Sequence, residues 1–142
     1  MTLEIVTRAG KRPYPPRVTA FTAPFWAGLA AGRFLLGYCA GCGHRSFPPK
    51  SICPICWGRE IGWSEHAGDG VLYSHTEMHA APTYFLNDIP YRVCIVDLAD
   101  GPRVATRLIG AHGGTPLGSA VQLVVLAYED GHLFAAQPAE RQ

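Results

Sequence analysis

The sequence has 142 residues, 48% of them apolar, which is enough to bury a hydrophobic core and excludes a largely disordered chain. It contains no run of 18 apolar residues and no apolar signal segment, so we expect a cytoplasmic protein that does not enter a membrane. The formal net charge of +1 hides an uneven distribution of charge.

Residues 1–59 carry eight Lys or Arg against one acidic residue, and residues 60–142 carry four against ten. A basic front half suits a phosphate-bearing ligand or an acidic partner surface. Residues 1–20 contain three prolines and no hydrophobic periodicity, which predicts an extended arm without a core element that orders on a partner. The competing interpretation is a solvated, flexible basic arm, and it applies to Arg8, Lys11, Arg12 and Arg17.

Residues 21–33 predict a short helix. Thr22 can cap its N-terminus, Pro24 suits its first turn, and Gly32 can end it. The apolar residues between them fall on one face, which indicates core packing or, alternatively, a surface that docks onto another protein.

Residues 34–66 contain two Cys-x-x-Cys pairs separated by ten residues, which is the spacing of a zinc ribbon. We predict that Gly43 and Gly58 allow the bent backbone after each pair. Iron stays open as the metal, whereas a catalytic dithiol needs only one pair and disulfides need an oxidising compartment. A closed shell of four thiolates predicts a structural metal site. Its ligands are Cys39, Cys42, Cys53 and Cys56.

Residues 67–138 have a consistently β pattern that predicts a small five-stranded barrel, with 139–142 as a tail. The glycine- and proline-rich segment 110–118 predicts a loop between the third and fourth strands. The predicted strands are 71–79, 92–98, 103–109, 120–128 and 132–137.

The histidines and the fifth cysteine do not assemble into a recognisable catalytic motif, so we predict a protein that is not an enzyme. Cys94 lies in an apolar run, which indicates an inert core thiol. His75 and His79 share one face of a predicted strand but have no third ligand, which favours a structural role. His44 and His66 flank the ribbon, and we expect both to be exposed.

The order of short motifs resembles a family of bacterial and archaeal acyl-CoA-associated proteins that combine an N-terminal helix, a rubredoxin-like zinc ribbon and an OB-fold. The resemblance covers about residues 22–138. It rests on Pro24-Phe25-Trp26, the Gly-Arg-Phe-Leu-Leu-Gly-Tyr-Cys approach to Cys39, Phe47-Pro48-Pro49, both cysteine pairs, Gly68-x-Gly70-Val71-Leu72-Tyr73-Ser74 and Ile89-Pro90-Tyr91.

The resemblance implies a mainly β fold and a non-catalytic accessory subunit of a thiolase-, aldolase- or hydratase-like enzyme acting on acyl-CoA in lipid, steroid or polyketide metabolism. Aromatic residues and arginines are enriched in such contacts. The candidate contacts with acyl-CoA or with the partner are Trp26, Arg33, Arg45, Phe47, Tyr84 and Phe85.

The alternative is a free-standing module that binds acyl-CoA or single-stranded nucleic acid, because zinc ribbons and OB-folds both bind single strands. The acidic barrel half disfavours nucleic acid, since its net negative charge repels phosphate. An independent binder is expected to bind its ligand unaided, whereas an accessory subunit exposes an apolar docking surface.

Overall fold

The computed structural model of the chain describes residues 2–139, so the predicted tail lies outside the described residues except for Ala139. Nine strands, one α-helix and one 3-10 turn follow one another along these residues. They are β1 (Ile5–Thr7), α1 (Ala23–Ala30), β2 (Phe34–Cys39), β3 (Arg45–Ser46), β4 (Ile61–His66), β5 (Asp69–Met78), the turn Thr83–Phe85, β6 (Tyr91–Leu98), β7 (Arg103–Leu108), β8 (Ala120–Tyr128) and β9 (Gly131–Pro138).

Strands β5 to β9 form a closed barrel with the OB-fold order. The sheet runs β8-β5-β6-β7-β9, and antiparallel pairing of β8 with β9 closes it. All five predicted strands are confirmed, and their ends differ from the prediction by at most two residues. Along β6 the buried residues alternate, because Cys94, Val96 and Leu98 point into the core.

The arm packs against the barrel. Ile5 pairs in parallel register with Val125, the Leu3 backbone N–H donates to the Gly32 carbonyl at 2.7 Å, and Leu3 is only 6% exposed. The prediction that residues 1–20 contribute no core element is therefore wrong. A three-residue strand and a single buried leucine are too short to produce a periodic pattern.

Helix α1 begins without the predicted side-chain cap. The Thr22 hydroxyl oxygen accepts a hydrogen bond from the Thr19 backbone N–H at 2.9 Å and does not cap the helix. Proline lies in the first turn as predicted. Gly32, with φ of 78°, follows the helix in the left-handed conformation that favours glycine.

The ribbon is a three-stranded sheet in the order β3-β2-β4, with both neighbours antiparallel to β2. Its central strand contributes Phe34, Leu35 and Leu36 to the same core cluster as the barrel. One continuous core cluster contains residues of the helix, the ribbon and the barrel. The boundaries predicted between these three parts therefore stay predictions. No helix within residues 2–139 is long and apolar enough to cross a membrane.

Four phenylalanine rings join these parts. Phe25 of α1, Phe34 of β2, Phe47 after β3 and Phe134 of β9 contact one another in all six pairs, with ring centroids 5.0 to 6.2 Å apart. Four of the six pairs are edge-to-face, which is a favourable geometry for aromatic rings, and the other two are tilted. We name this group the phenylalanine cluster.

Candidate functional site

The four ribbon cysteines lie where two turns meet at one end of the ribbon sheet. Cys39 is the last residue of β2, and Cys42 follows in the turn before β3. Cys53 and Cys56 lie in the segment between β3 and β4. Because Cys39 pairs with Ile61, the first residue of β4, the end of this segment is held beside the first cysteine turn.

The cysteine sulfurs converge on one point. All four Sγ atoms lie within 4.8 Å of one another, with 3.5 Å between Cys39 and Cys56 and 3.6 Å between Cys42 and Cys53. Thiolates at the corners of a tetrahedron around zinc, with Zn–S of about 2.3 Å, are separated by roughly 3.8 Å. All four cysteines are free thiols. The arrangement therefore fits a metal site, which the ribbon's cysteine spacing predicts.

Each turn contains a residue in the left-handed backbone conformation. In the first turn this residue is Gly43, with φ of 80°, and its N–H donates to the Cys39 carbonyl at 2.8 Å. In the second turn it is Trp57, with φ of 64°, and its N–H donates to the Cys53 carbonyl at 3.0 Å. The prediction that Gly58 has this role is wrong by one residue, and a bulky residue stands where glycine is favoured.

The second turn favours the thiolate form at Cys53 but not at Cys56. At Cys56 the Gly58 N–H lowers the pKa of the thiol, but hydrogen bonding with the Cys39 and Cys53 sulfurs and burial together outweigh this effect, and the pKa is raised. Backbone N–H groups of Cys56 and Ile55 donate to the Cys53 sulfur and lower the pKa of its thiol from 9.0 to about 7, against the opposing effect of burial. The thiolate is the form that ligates metals. Cys53 and Cys39 are the two buried members of the set, and Cys42 and Cys56 lie at the surface.

Three apolar side chains surround this second turn and point into solvent. Ile52 is 39% exposed, Ile55 is 65% exposed and Trp57 is 78% exposed. We name them the knuckle surface. The exposed cations Lys50 and Arg59 flank it in the sequence. Sequence reasoning missed these residues, although apolar residues beside a metal turn have no core nearby to bury them, and that is the signal that could have found them.

Two of the six candidate contacts lie at the phenylalanine cluster. Phe47 is a half-buried member of the cluster, and Trp26 packs edge-to-face on Phe25 with ring centroids 5.0 Å apart. Their partial burial gives both residues a role in the fold. Their contact with a partner or ligand stays a prediction.

The two candidate arginines each have a partner within the chain. Arg33 forms an ion pair with Glu65 at 3.3 Å, and Arg45 donates a hydrogen bond to the Asp100 carbonyl. Arg45 thereby connects the ribbon to the β6–β7 turn. Contact of either arginine with phosphate stays a prediction.

The last two candidates lie on the barrel, in the loop between β5 and β6. Tyr84 is 63% exposed and stacks edge-to-face on Tyr14 of the arm, with ring centroids 4.8 Å apart. Phe85 is half-buried against Tyr91, with ring centroids 6.0 Å apart. The structure therefore groups these two with the arm.

Cys94 and three histidines outside the metal site lie against other residues of the chain. Burial raises the pKa of the Cys94 thiol to about 11, in agreement with the predicted inert core thiol. His75 lies 3.0 Å from the Thr115 carbonyl oxygen, and His79 lies 3.2 Å from Glu77. His66 is wrongly predicted as exposed: it is 7% exposed and hydrogen-bonded at the joint between ribbon and barrel. Within residues 2–139 the four ribbon cysteines are the only group with metal-ligand geometry.

The ribbon with its four cysteines and the closed barrel define a zinc-ribbon plus OB-fold protein. Two domain families match the chain in that order. The ChsH2 rubredoxin-like zinc ribbon domain matches residues 26–62, and the ChsH2 C-terminal OB-fold domain matches residues 63–126. The chain belongs to the ChsH2 family, and the predicted resemblance is confirmed. A solved structure also describes ChsH2 as DUF35.

Individual relatives carry names of subunits and scaffolds. The chain is 32% identical over 118 residues to the benzoylsuccinyl-CoA thiolase subunit BbsA of Thauera aromatica, which covers 81% of each protein. It is 30% identical over 86 residues to a DUF35 domain-containing scaffold protein of Methanocaldococcus jannaschii, which covers 59% of this chain and 61% of the relative.

A solved structure agrees with this assignment. A chain in the structure of the Ltp2-ChsH2(DUF35) aldolase is 28% identical and superposes with a TM-score of 0.78. The similarity covers 89% of this chain and all of that chain. The fold of most of this chain is therefore also present in that structure.

Proposed function

We propose that the chain is a non-catalytic accessory subunit that binds a thiolase-, aldolase- or hydratase-like enzyme and contributes to the binding of acyl-CoA. Relatives named as a thiolase subunit and as scaffold proteins support an accessory role. The similarity to a chain in an aldolase structure supports an enzyme as the partner. The observation that carries the proposal is the knuckle surface.

The knuckle surface has the composition of a docking site. Trp57 and Ile55 expose most of their area, although exposed apolar residues in a cluster are unfavourable for an isolated protein. Tryptophan is also the residue most enriched among contacts that dominate binding free energy. The left-handed backbone at Trp57 costs roughly 1 kcal/mol or more for a residue that is not glycine. Because this exposed, strained tryptophan does not contribute to core packing, we propose that its side chain contacts a partner.

The metal in this proposal is zinc, and it holds the knuckle surface in shape. Four thiolates close the coordination shell and leave no position for water or substrate, so zinc supplies structure and no chemistry of its own. Reduced thiols are retained in a reducing compartment, which supports the proposed cytoplasmic location. Loss of the metal is therefore expected to disorganise the docking surface.

The acyl-CoA part of the proposal is supported by Tyr84 and Phe85. These aromatic residues lie beside Arg107, whose guanidinium carbon is 5.5 Å from the centre of the Phe85 ring. An aromatic surface next to a cation suits a ligand that has an apolar part and an anionic part. The catalytic groups would come from the partner, because residues 2–139 offer no nucleophile paired with a base.

The test is affinity purification of the tagged protein from its native cells at moderate salt, followed by mass spectrometry of the bound proteins. A thiolase, aldolase or hydratase recovered in near-equal amount is the expected result. Recovery of the chain alone, or with nucleic acid, would overturn the proposal in favour of an independent binding module. A Trp57→Ala bait is the matched control, and it is expected to lose the enzyme.

A further inference from the structure

A cleft of about 440 Å³ lies on the outer face of the barrel. Its floor includes Val93 and Ala105, which are the strand neighbours of the buried Cys94 and Val104. Since successive side chains of a strand point to opposite faces, Val93 and Ala105 lie on the face opposite to Cys94 and Val104. The buried Leu126 and Phe134 of the phenylalanine cluster also line this cleft. We name it the outer cleft. Its lining is mostly apolar, and its volume lies in the range of sites that bind small molecules.

The outer cleft has a roof made of two segments that are distant in the sequence. Tyr14 comes from the arm, and Phe85 comes from the turn Thr83–Phe85. The two segments touch through the edge-to-face pair of Tyr14 and Tyr84. The arm lies outside the region that the two domain families match, whereas Phe85 lies within it.

Arg12 holds the arm half of the roof in place. Its backbone N–H donates to the Asp130 carboxylate at 2.8 Å, and its guanidinium donates to the Asp130 carbonyl at 2.9 Å. Hydrogen bonding from Arg12 lowers the pKa of the Asp130 carboxyl group. Gly131 leaves the space for this contact, because a Cβ there would lie 2.5 Å from the Arg12 guanidinium carbon. This anchor is two residues from Tyr14 and therefore sets its position.

A second cleft of about 700 Å³ continues from the outer cleft and shares Tyr91 and Arg107 with it. We name it the arginine cleft. Arg8, Arg92 and Arg107 line it against two carboxylates, which leaves one positive charge in excess. Arg107 stacks on the Tyr91 ring at 3.9 Å, at the boundary of the two clefts.

The cation in excess is Arg8. Arg92 pairs with Glu77 at 2.8 Å and Arg107 pairs with Asp88 at 3.2 Å, whereas Arg8 belongs to none of the ion pairs found between residues 2–139. Its side chain is exposed at the cleft. An anion bound there gains an unopposed positive charge at the mouth of an otherwise acidic barrel half.

We propose that the two clefts form one binding site for an acyl thioester, with the apolar acyl group under Tyr14 and Phe85 and the anionic part of the ligand against Arg8. This inference rests on the proposed role in acyl-CoA binding and adds the location of the ligand. The outer cleft supplies apolar contact, and the arginine cleft supplies charge. The Arg12 anchor determines whether the roof is closed over the acyl group.

The test is isothermal titration of the zinc-loaded full chain with octanoyl-CoA, octanoate and coenzyme A. We expect octanoyl-CoA to bind at least about tenfold more tightly than either part alone, because it occupies both clefts. Arg12→Ala is expected to weaken octanoyl-CoA at least about tenfold. The matched control is Lys11→Ala, which removes the same charge from an exposed neighbouring position and is expected to change affinity less than about twofold.

A second variant, Ala105→Trp, fills the outer cleft from an exposed position that does not face the core. It is expected to abolish the advantage of octanoyl-CoA over coenzyme A. Octanoyl-CoA binding that neither Arg12→Ala nor Ala105→Trp alters would overturn the location and leave the accessory role intact. Absence of binding by all three probes would overturn the inference as well. Enzyme recovery in affinity purification reports separately on the proposed function, and Ala105→Trp is expected to retain it.

Discussion

Replacing Trp57 by glycine is expected to raise the stability of the ribbon and to abolish docking at the same time. The residue has φ of 64°, a conformation that glycine adopts without strain and tryptophan does not. Its side chain is 78% exposed, so its removal leaves no cavity. Trp57→Ala is the matched variant, because it removes the same ring and keeps a Cβ in the strained conformation. The pair thus separates backbone strain from side-chain contact.

The two effects have different magnitudes. Relief of the strain at residue 57 raises the free energy of unfolding of Trp57→Gly by roughly 1–2 kcal/mol. The extra freedom of glycine in the unfolded chain lowers it again by about 0.4–1 kcal/mol. Trp57→Ala is a surface substitution and is expected to stay within about 0.5 kcal/mol of the wild type. For docking, a side chain that exposes 78% of its area offers about 150 Å², or at most about 4 kcal/mol of apolar contact.

The measurements are urea unfolding of the zinc-loaded variants and titration against the enzyme recovered from native cells. We expect Trp57→Gly to unfold at a higher urea concentration than Trp57→Ala, and both variants to bind the enzyme at least about 30-fold more weakly than the wild type. A Trp57→Gly variant that is less stable than Trp57→Ala would contradict the strain argument. Wild-type affinity in both variants would refute the assignment of the knuckle surface.

Three further predictions concern the metal site, the core and the buried thiol. Cys42→Ser is expected to lower the zinc content measured by atomic emission and to abolish enzyme recovery, while circular dichroism still shows the folded barrel; unchanged zinc stoichiometry would contradict the ligand assignment. Phe34→Ala, at a residue with no exposed area, is expected to cost about 3–5 kcal/mol in urea unfolding, and a cost below about 1 kcal/mol would show that the phenylalanine cluster does not unite the parts. The pKa of the Cys94 thiol is raised in the folded state from 9.0 to about 11. The contribution of this protonated thiol to the free energy of unfolding is therefore complete below about pH 9 and is lost as the pH rises towards 11. Wild type is expected to lose about 2–3 kcal/mol more than Cys94→Ala over that interval in unfolding experiments, and parallel pH profiles would argue against burial of the thiol.

The sequence was sufficient for the features that repeat or that have a fixed spacing. The consistently β pattern of residues 67–138 predicted all five barrel strands, and the cysteine spacing predicted that Cys39, Cys42, Cys53 and Cys56 converge. Both signals are local, since a strand has a period of two residues and a metal turn has a spacing of three. The fold class therefore followed from short stretches of sequence.

The features that sequence reasoning missed depend on contacts between distant residues. β1 pairs with β8 across more than a hundred residues and is too short to show a pattern. In the sequence Arg12 is one of several cations in the arm, and only the structure shows that it pairs with Asp130. The left-handed position in the second cysteine turn is Trp57, because the hydrogen bond from its backbone N–H to the Cys53 carbonyl determines the turn and overrides residue preference.

The phenylalanine cluster has a consequence for how the chain reaches its folded state. It joins Phe25 in the only α-helix of residues 2–139 to Phe134 in the last described strand, so its contacts have a high contact order. During synthesis the helix and the ribbon emerge long before β9, and their aromatic rings stay without the fourth member of the cluster. We therefore expect packing of the ribbon against the barrel to be a late, cooperative event that follows release of β9 from the ribosome.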